Sequence, residues 1–502
     1  MSRFPAPLCQ VVACGTPWHR PGRPVARLRP TALAIALGTA ALLGGCANGA
    51  LGPATAGGQF DVHAAVGATP PRLTSESAQR EAEADARRWL ADPLQADDAV
   101  RLALRLSPAV QALMSDAGVR AARIDRAGRP GDPVLSFERL VRRGDGPPEL
   151  DIGRLISVSL FDLLAWPTRQ QAAREALEAS SLRLTADLLG AATAARETWI
   201  RAVAAQQSLQ HAQQVLDAAE AATELARRLQ ATGGFSRLQQ AREQAFHADA
   251  EAQWAQARHA ATATREALIR RLGLDDRLAQ ALRLPQRLPD LPVATRSNAD
   301  LVAAALDQRL DLRLARSELQ REARLAGLAP LESVFGDTRL GVQRNSEGGP
   351  VRQRGFELEW AIPLFDAGAA HRDESRERVL AAQAWARHTA LLAGSQVREA
   401  ASAAQTAYAV ARHHRDTLLP LRQTIAEEML LQYNGMLVDV FALLADARAQ
   451  SLGVRAAIEA ERDFWLADAA LQATLLGASA APSPSAPLSA GSAAPTAATA
   501  AH

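Results

Sequence analysis

The stretch Phe356-Glu357-Leu358-Glu359-Trp360-Ala361-Ile362-Pro363-Leu364-Phe365-Asp366 places a large apolar residue at every second position from 356 to 364. Glu357, Glu359 and Ala361 lie between them. Side chains of a strand alternate between its faces, so this segment reads as a strand with one greasy face and one acidic face. An earlier segment repeats the pattern, with Leu150, Ile152, Ile156, Val158 and Leu160 opposite Asp151, Gly153, Ser157 and Ser159, and Arg154 as the exception. Both segments end in the same triplet, Leu160-Phe161-Asp162 and Leu364-Phe365-Asp366. A small soluble sheet packed on a helix alternates in the same way, so the pattern alone does not decide between that and a membrane barrel.

Working outward, each strand has a partner across a turn. The first pair is 134–142 and 150–160, split by Gly144-Asp145-Gly146-Pro147-Pro148; the second is 335–344 and 354–364, split by Ser346-Glu347-Gly348-Gly349-Pro350. Amphipathic helices over 99–128 and 299–327 precede the pairs, each stopping near a proline, Pro130 or Pro330. Long helical stretches follow, from about 167 to Gly233-Gly234 and from about 368 to Asn434-Gly435, each of about 66 residues or roughly 100 Å. Shorter helices come after the glycine turns, over 236–272 and 438–476. In the first long helix Leu209, Ala212, Leu216, Ala219, Ala222, Ala226 and Leu229 recur at spacings of three and four, a seam with small knobs that lets helices approach closely. The chain is therefore one unit written twice, 76–284 and 299–477, joined by the Pro-rich segment 285–298. The lengths also predict that 236–272 and 299–327 stack end to end to match one long helix.

Four strands cannot close a barrel, for which about eight is the practical minimum. The predicted fold class is mostly α with a small β part, the strands completed by copies of the chain and the helices closing a hollow cylinder beneath.

The N-terminus reads as a targeting segment. Arg20, Arg23, Arg27 and Arg29 precede an apolar run over 31–43, which is too short to span a membrane comfortably, and Leu43-Gly44-Gly45-Cys46 follows. This resembles the lipobox of bacterial lipoproteins, which implies a signal peptide over 1–45 and lipidation of Cys46. Ala47 follows the cysteine where an aspartate would favour inner-membrane retention, and this points to the outer membrane. Residues 46–75 read as a tether and 478–502 as a disordered Ala/Ser/Pro/Thr tail. Between them no apolar run approaches 18 residues, so any membrane span must use strands.

Composition excludes several classes. The 502 residues hold 56 basic and 54 acidic side chains, and every basic residue apart from histidine is arginine. Five of the arginines lie in the first 45 positions, which contain no acid, so the remainder carries a small acidic excess and does not suit nucleic acid. Aromatics at 4% argue against an aromatic-rich sandwich or lectin-like site. Cys9, Cys14 and Cys46 form neither a zinc motif nor a disulfide framework. There is no GxSxG, HExxH, P-loop or GxGxxG, and His413-His414 point about 100° apart on a helix, so the reading is not an enzyme and has no cofactor or metal.

The chain resembles the TolC family of outer-membrane efflux channels over about residues 75–477. The resemblance rests on the duplicated unit, on Phe365, Asp366 and Gly368 after the last strand, and on the turn Tyr433, Gly435 and Leu437 followed by Asp446, Ala447, Arg448 and Gln450. It implies a homotrimer with a 12-stranded barrel in outer-membrane lipid, an α-helical periplasmic tunnel and an equatorial belt around 285–298. It also implies docking to a periplasmic adaptor and an inner-membrane efflux pump, as for the lipoprotein members of drug and heavy-metal systems. On that basis Gly233, Gly234, Tyr433, Gly435 and Leu437 form the periplasmic tip and adaptor-docking region, with glycine supplying φ > 0 at the turns. Asp151, Glu357 and Glu359 line the barrel lumen. The family's pair of tunnel-narrowing aspartates is not matched, which leaves Asp439 as a pore-mouth candidate beside its reading as a solvated tip residue. The alternative is a structural coiled-coil periplasmic lipoprotein, which would need neither β-hairpin.

Overall fold

A computed structural model describes residues 70–143, 149–293, 305–346, 352–362, 366 and 368–478. The segment expected to be a signal peptide, 1–45, Cys46, most of the expected tether 46–75, residues 144–148, 294–304 and 347–351, Leu364, Phe365 and all but the start of the expected tail 478–502 lie outside the described residues.

The described residues open with α1 (Glu76–Trp89), α2 (Ala96–Leu106) and α3 (Pro108–Ala127). The helix expected over 99–128 is thus two helices, because Ser107 turns out of the helical region and Pro108 starts the next. Strands β1 (Val134–Arg142) and β2 (Glu149–Ser159) follow. Next come α4 (Leu160–Ala231), α5 (Arg237–Leu272) and the short α6 (Asp276–Ala281). The second half runs α7 (Leu310–Ala326), α8 (Ala329–Phe335), β3 (Arg339–Ser346), β4 (Arg352–Glu359), α9 (Ala369–His413), a wide turn (His414–Leu418), α10 (Leu419–Asn434) and α11 (Val440–Leu476).

Several expected boundaries move, each for a local reason. The triplet Leu160-Phe161-Asp162 does not end a strand; it opens α4, because the Ser159 hydroxyl accepts from the Asp162 amide at 3.1 Å and caps the helix seven residues before Pro167. Pro330 does not simply stop a helix; it starts α8, which takes Phe335, and the turn after it, 336–338, delays the third strand. That strand therefore covers Arg339–Ser346 and not 335–344. The fourth ends at Glu359 and not at 364, since the Trp360 indole turns aside and donates to Val334 O at 2.9 Å. The helix expected over 368–434 is interrupted at His414–Leu418, where a wider turn accommodates Pro420 and its missing amide.

The helices form a wall. The α4 rod, 72 residues and about 108 Å long, packs on α5 and α3 along one side and on α11 and α7 along the other. In turn α9 packs on α7 and α11, and α10 on α11. The end-to-end partners differ from those expected. The C-terminus of α5 abuts the start of α3, with a Cβ at Gly273 falling 2.7 Å from Pro108 Cδ. The C-terminus of α11 abuts the start of α7, with a Cβ at Gly477 falling 2.7 Å from Asp311 Oδ1. Both joints turn on a left-handed glycine, Gly273 at φ +73° and Gly477 at φ +72°. Arg309, 1% exposed, fastens the second joint: it donates to Thr474 O at 2.9 Å and to Gln396 of α9 at 3.0 Å, and pairs with Asp311.

The core concentrates around Trp199 of α4, whose indole donates to Leu94 O at 2.8 Å among Ala86, Leu102, Leu268 and Leu272. The first part of the inter-repeat segment lies nearby. Trp465 donates to Pro289 O and Tyr408 to Pro292 O. There Glu461 is pushed up to about 7, first by burial and then by the Asp290 carboxylate. Among the described residues no helix is long and apolar enough to cross a membrane.

Candidate functional site

Two regions carry the sequence-derived site residues, the sheet at one end of α4 and the paired turns at the other.

The sheet is antiparallel in the order β1-β2-β3-β4, so β1 and β4 are its two edges. Directly opposed residues share a face. One face carries the rows Leu135, Ile156, Val342, Phe356 and Val158, Leu340, Leu358. The other carries Val134, Ser157, Gly341 and Glu357, and beside them Ser159, Arg339 and Glu359. Asp151, opposite Leu140, belongs to this second face. The three acidic residues expected to share a face do share one. The apolar rows are open: Phe356 is 78%, Val342 70% and Leu135 69% exposed. On the second face Ser157 and Gly341 are buried, which marks it as the more enclosed side. Trp360 sits at the helix end of the greasy face, its ring 6.1 Å from that of Phe335.

At the far end α4 turns into α5 through Thr232-Gly233-Gly234-Phe235-Ser236. Gly233 takes φ +81°, the Leu229 carbonyl accepts from the amides of Gly234 and Phe235, and Ser236 with Gln239 forms a capping box. The second turn differs from expectation at one residue. Gly435 has φ −79°, and the left-handed residue is Met436 at φ 59°. The Asp439 carboxylate caps α11, accepting from the Ala442 amide at 2.9 Å. Tyr433, Met436 and Leu437 are all exposed, Met436 by 93%.

The two turns meet. Phe235 from the first and Phe441 from the second lie 4.4 Å apart between ring centroids. Deeper in, Glu243 of α5, 2% exposed, pairs with Arg448 of α11, whose guanidinium also lies 4.2 Å from the centre of the Phe246 ring. Sequence reasoning placed Arg448 in a motif without a role. The signal available was an acid near the start of α5 and an arginine near the start of α11, each about a dozen residues or fewer from its own turn, a spacing that brings them level once the turns are side by side.

Because Met436 is strained and its side chain contacts little, Met436→Gly is expected to gain about 0.5–1 kcal/mol, whereas Met436→Val loses about 1 kcal/mol. Gly435→Ala should be near neutral. Urea unfolding of the three variants checks this, and a clear loss of stability in Met436→Gly would contradict the assignment of strain.

No family model matches the chain, and no curated protein matches it in sequence. Solved structures do match it in fold. A membrane protein from Pseudomonas aeruginosa superposes with a TM-score of 0.63 at 19% identity, covering 77% of this chain and 95% of that one. CusC, in structures that concern transmembrane channel formation, gives 0.62 at 15% identity over 78% and 94%. The CmeC outer membrane channel of Campylobacter jejuni gives 0.61 at 13% identity over 82% and 89%. The chain shares the fold of these membrane proteins, a helical wall with a small antiparallel sheet, and this is the TolC-like fold.

Proposed function

We propose that this chain is the outer-membrane duct of a tripartite efflux system, conducting substrates passively from an inner-membrane pump and a periplasmic adaptor to the outside. The observation that carries the reading is the sheet: its apolar face is exposed on a single chain, and among the described residues its edge strands β1 and β4 have no outer partner, so β4 of one copy can pair with β1 of the next. An open apolar sheet of this kind is an aggregation hazard in water and a barrel segment in lipid. Three chains would supply twelve strands, with Asp151, Glu357 and Glu359 toward the lumen and Leu358, Val342 and Phe356 toward lipid. Leu380, Trp385 and Leu391 of α9 are exposed and supply further apolar surface for contact between copies. Cys46 would carry the lipid anchor, and the paired turns around Gly233, Gly234, Tyr433, Gly435 and Leu437 would meet the adaptor, with Asp439 at the mouth. A structural coiled-coil lipoprotein would have no use for the exposed apolar rows.

Leu358→Arg and Glu357→Arg test the facing. Arginine on a lipid-facing strand position costs about 2–4 kcal/mol near mid-bilayer, whereas a lumen position tolerates it. Unboiled outer-membrane fractions run on a gel should show the heat-modifiable trimer retained in Glu357→Arg and largely lost in Leu358→Arg. Equal loss in both, or no trimer from the parent protein, would overturn the reading.

A further inference from the structure

One row on the greasy face of the sheet is not greasy. Arg154 of β2 is directly opposed to Arg344 of β3, which is directly opposed to Arg354 of β4, and Phe137 of β1 completes the row. All four are exposed. Neighbouring strands lie about 4.8 Å apart, so three guanidinium groups arise from a strip about 10 Å wide. Like charges directly opposite one another destabilise a sheet unless something offsets them. Among the described residues no carboxylate pairs with Arg154, Arg344 or Arg354. The acids of the strands, Glu138, Asp151, Glu357 and Glu359, project from the opposite face.

The position of the row identifies what offsets it. It lies two residues, about 7 Å, beyond the apolar row Leu135, Ile156, Val342 and Phe356, on the side of the hairpin turns and away from the helices. Arg139 and Arg352 follow in the next row toward the turns, with Ile152 and Ser346 between them. On β3 and β4 the apolar residues end at Val342 and Phe356 and arginines begin, as at the boundary between acyl chains and headgroups, while on β1 and β2 Phe137, Ile152 and the pair Val141–Leu150 carry apolar surface further out. Arginine suits that boundary because its stem packs on apolar surface while its head reaches polar groups. Its planar fork also binds phosphate oxygens in pairs.

We infer that the Arg154–Arg344–Arg354 row binds the phosphate groups of anionic lipid in the leaflet on the hairpin side of the sheet. The inference rests on the barrel reading above, and it adds a lipid site to it. Phosphate between adjacent guanidinium groups turns the two directly opposed repulsions into charge-assisted hydrogen bonds, so the bound lipid is part of what holds the strands in register.

The test uses the full-length trimer in detergent, with native mass spectrometry and thermal unfolding as readouts. The probes are lipid A carrying both phosphates, the same glycolipid with the phosphates removed, and inorganic phosphate. The protein is expected to retain phosphorylated lipid A at least about tenfold more strongly than the dephosphorylated form, as two or more charge-assisted contacts imply. Its unfolding temperature should rise with phosphorylated lipid A alone. The R154Q/R344Q/R354Q variant should lose that preference and that rise. In lipid-free detergent it should unfold at the same temperature as the parent or higher, because the repulsion is gone. Equal binding of the two glycolipids by the parent, or an unchanged preference in the variant, overturns the lipid site. So does a matching thermal shift with inorganic phosphate, which would mark a site for free anion. A variant that is less stable than the parent without lipid overturns the repulsion argument. Failure of the parent to form a membrane-embedded trimer is a different result, and it defeats the barrel reading itself.

Discussion

Arg448→Ala is expected to destabilise the turn end of the helical wall by about 3 kcal/mol, because it strands the carboxylate of Glu243 in a site that water hardly reaches. The Glu243 side chain is 3% exposed, and Arg448 is its ion-pair partner across α5 and α11. The Thr223 hydroxyl, on α4, donates to the Glu243 carbonyl and draws the third helix in. The loss should sit toward the low end of what buried pairs show, since the Arg448 side chain is 31% exposed and its Nε lacks a partner. Glu243→Gln, which removes the charge and keeps the shape, should cost less than half as much. Urea unfolding followed by hydrogen exchange over 237–250 measures both. If Arg448→Ala and Glu243→Gln were equally mild, the pair would be an exposed bridge of the ordinary weak kind.

Gly273→Val should cost about 2–5 kcal/mol, from two sources that add: a left-handed backbone, worth about 1–2 kcal/mol for a residue with a side chain, and overpacking, worth about 1–3 kcal/mol. The overpacking arises because a Cβ there would lie 2.9 Å from Ser107 Cα and 3.0 Å from Leu106 O, both of which are backbone. Gly233→Val is the control. Its φ is +81°, but nothing lies within 4 Å of its Cβ position, so only the backbone component remains. Thermal unfolding of the two variants separates strain from collision, and equal losses would mean that the α5–α3 joint is looser than described.

The repeated architecture was legible because long apolar periodicity and glycine turns are local signals. The strands alternate, the helices run on, and both are marked by residues close together in sequence. What was misread depended on contacts between distant segments or on competition between neighbours. Ser159 could extend a strand or cap a helix, and the cap prevails because it satisfies the Asp162 amide. Length alone pairs 236–272 with 299–327, since together they match one long helix. The wall instead stacks α5 on α3 and α11 on α7, because each joint needs a left-handed glycine against a helix start, which Gly273 and Gly477 provide. Gly435 was the natural residue for a positive φ, yet Met436 takes it, and nothing short of the turn's own hydrogen bonds reveals which of the two adjacent positions is strained. The Glu243–Arg448 pair was invisible because its members are separated by some 200 residues and each alone looks like a solvated helix charge. Arg154 stood out as an exception to its strand, but its meaning required the register that aligns it with Arg344 and Arg354.

The sheet also sets an order of events in the life of the chain. Pairs such as α4 with α5 join neighbours in sequence and can form soon after both are made. The β2–β3 ladder cannot: Ile156 meets Val342 only after the whole of α4, α5 and α7 has been made and folded back. Loop closure of that length makes the four-stranded sheet a late product. Once formed, it presents free edges and exposed phenylalanine and valine to water until other copies arrive. The interval between finishing one chain and meeting the next is therefore the hazardous one. Its length falls as lone chains become more numerous, and so does the time available for wrong encounters. Yield should depend on how quickly the sheet reaches a surface that hides its greasy side, more than on the stability of the helices that carry it there.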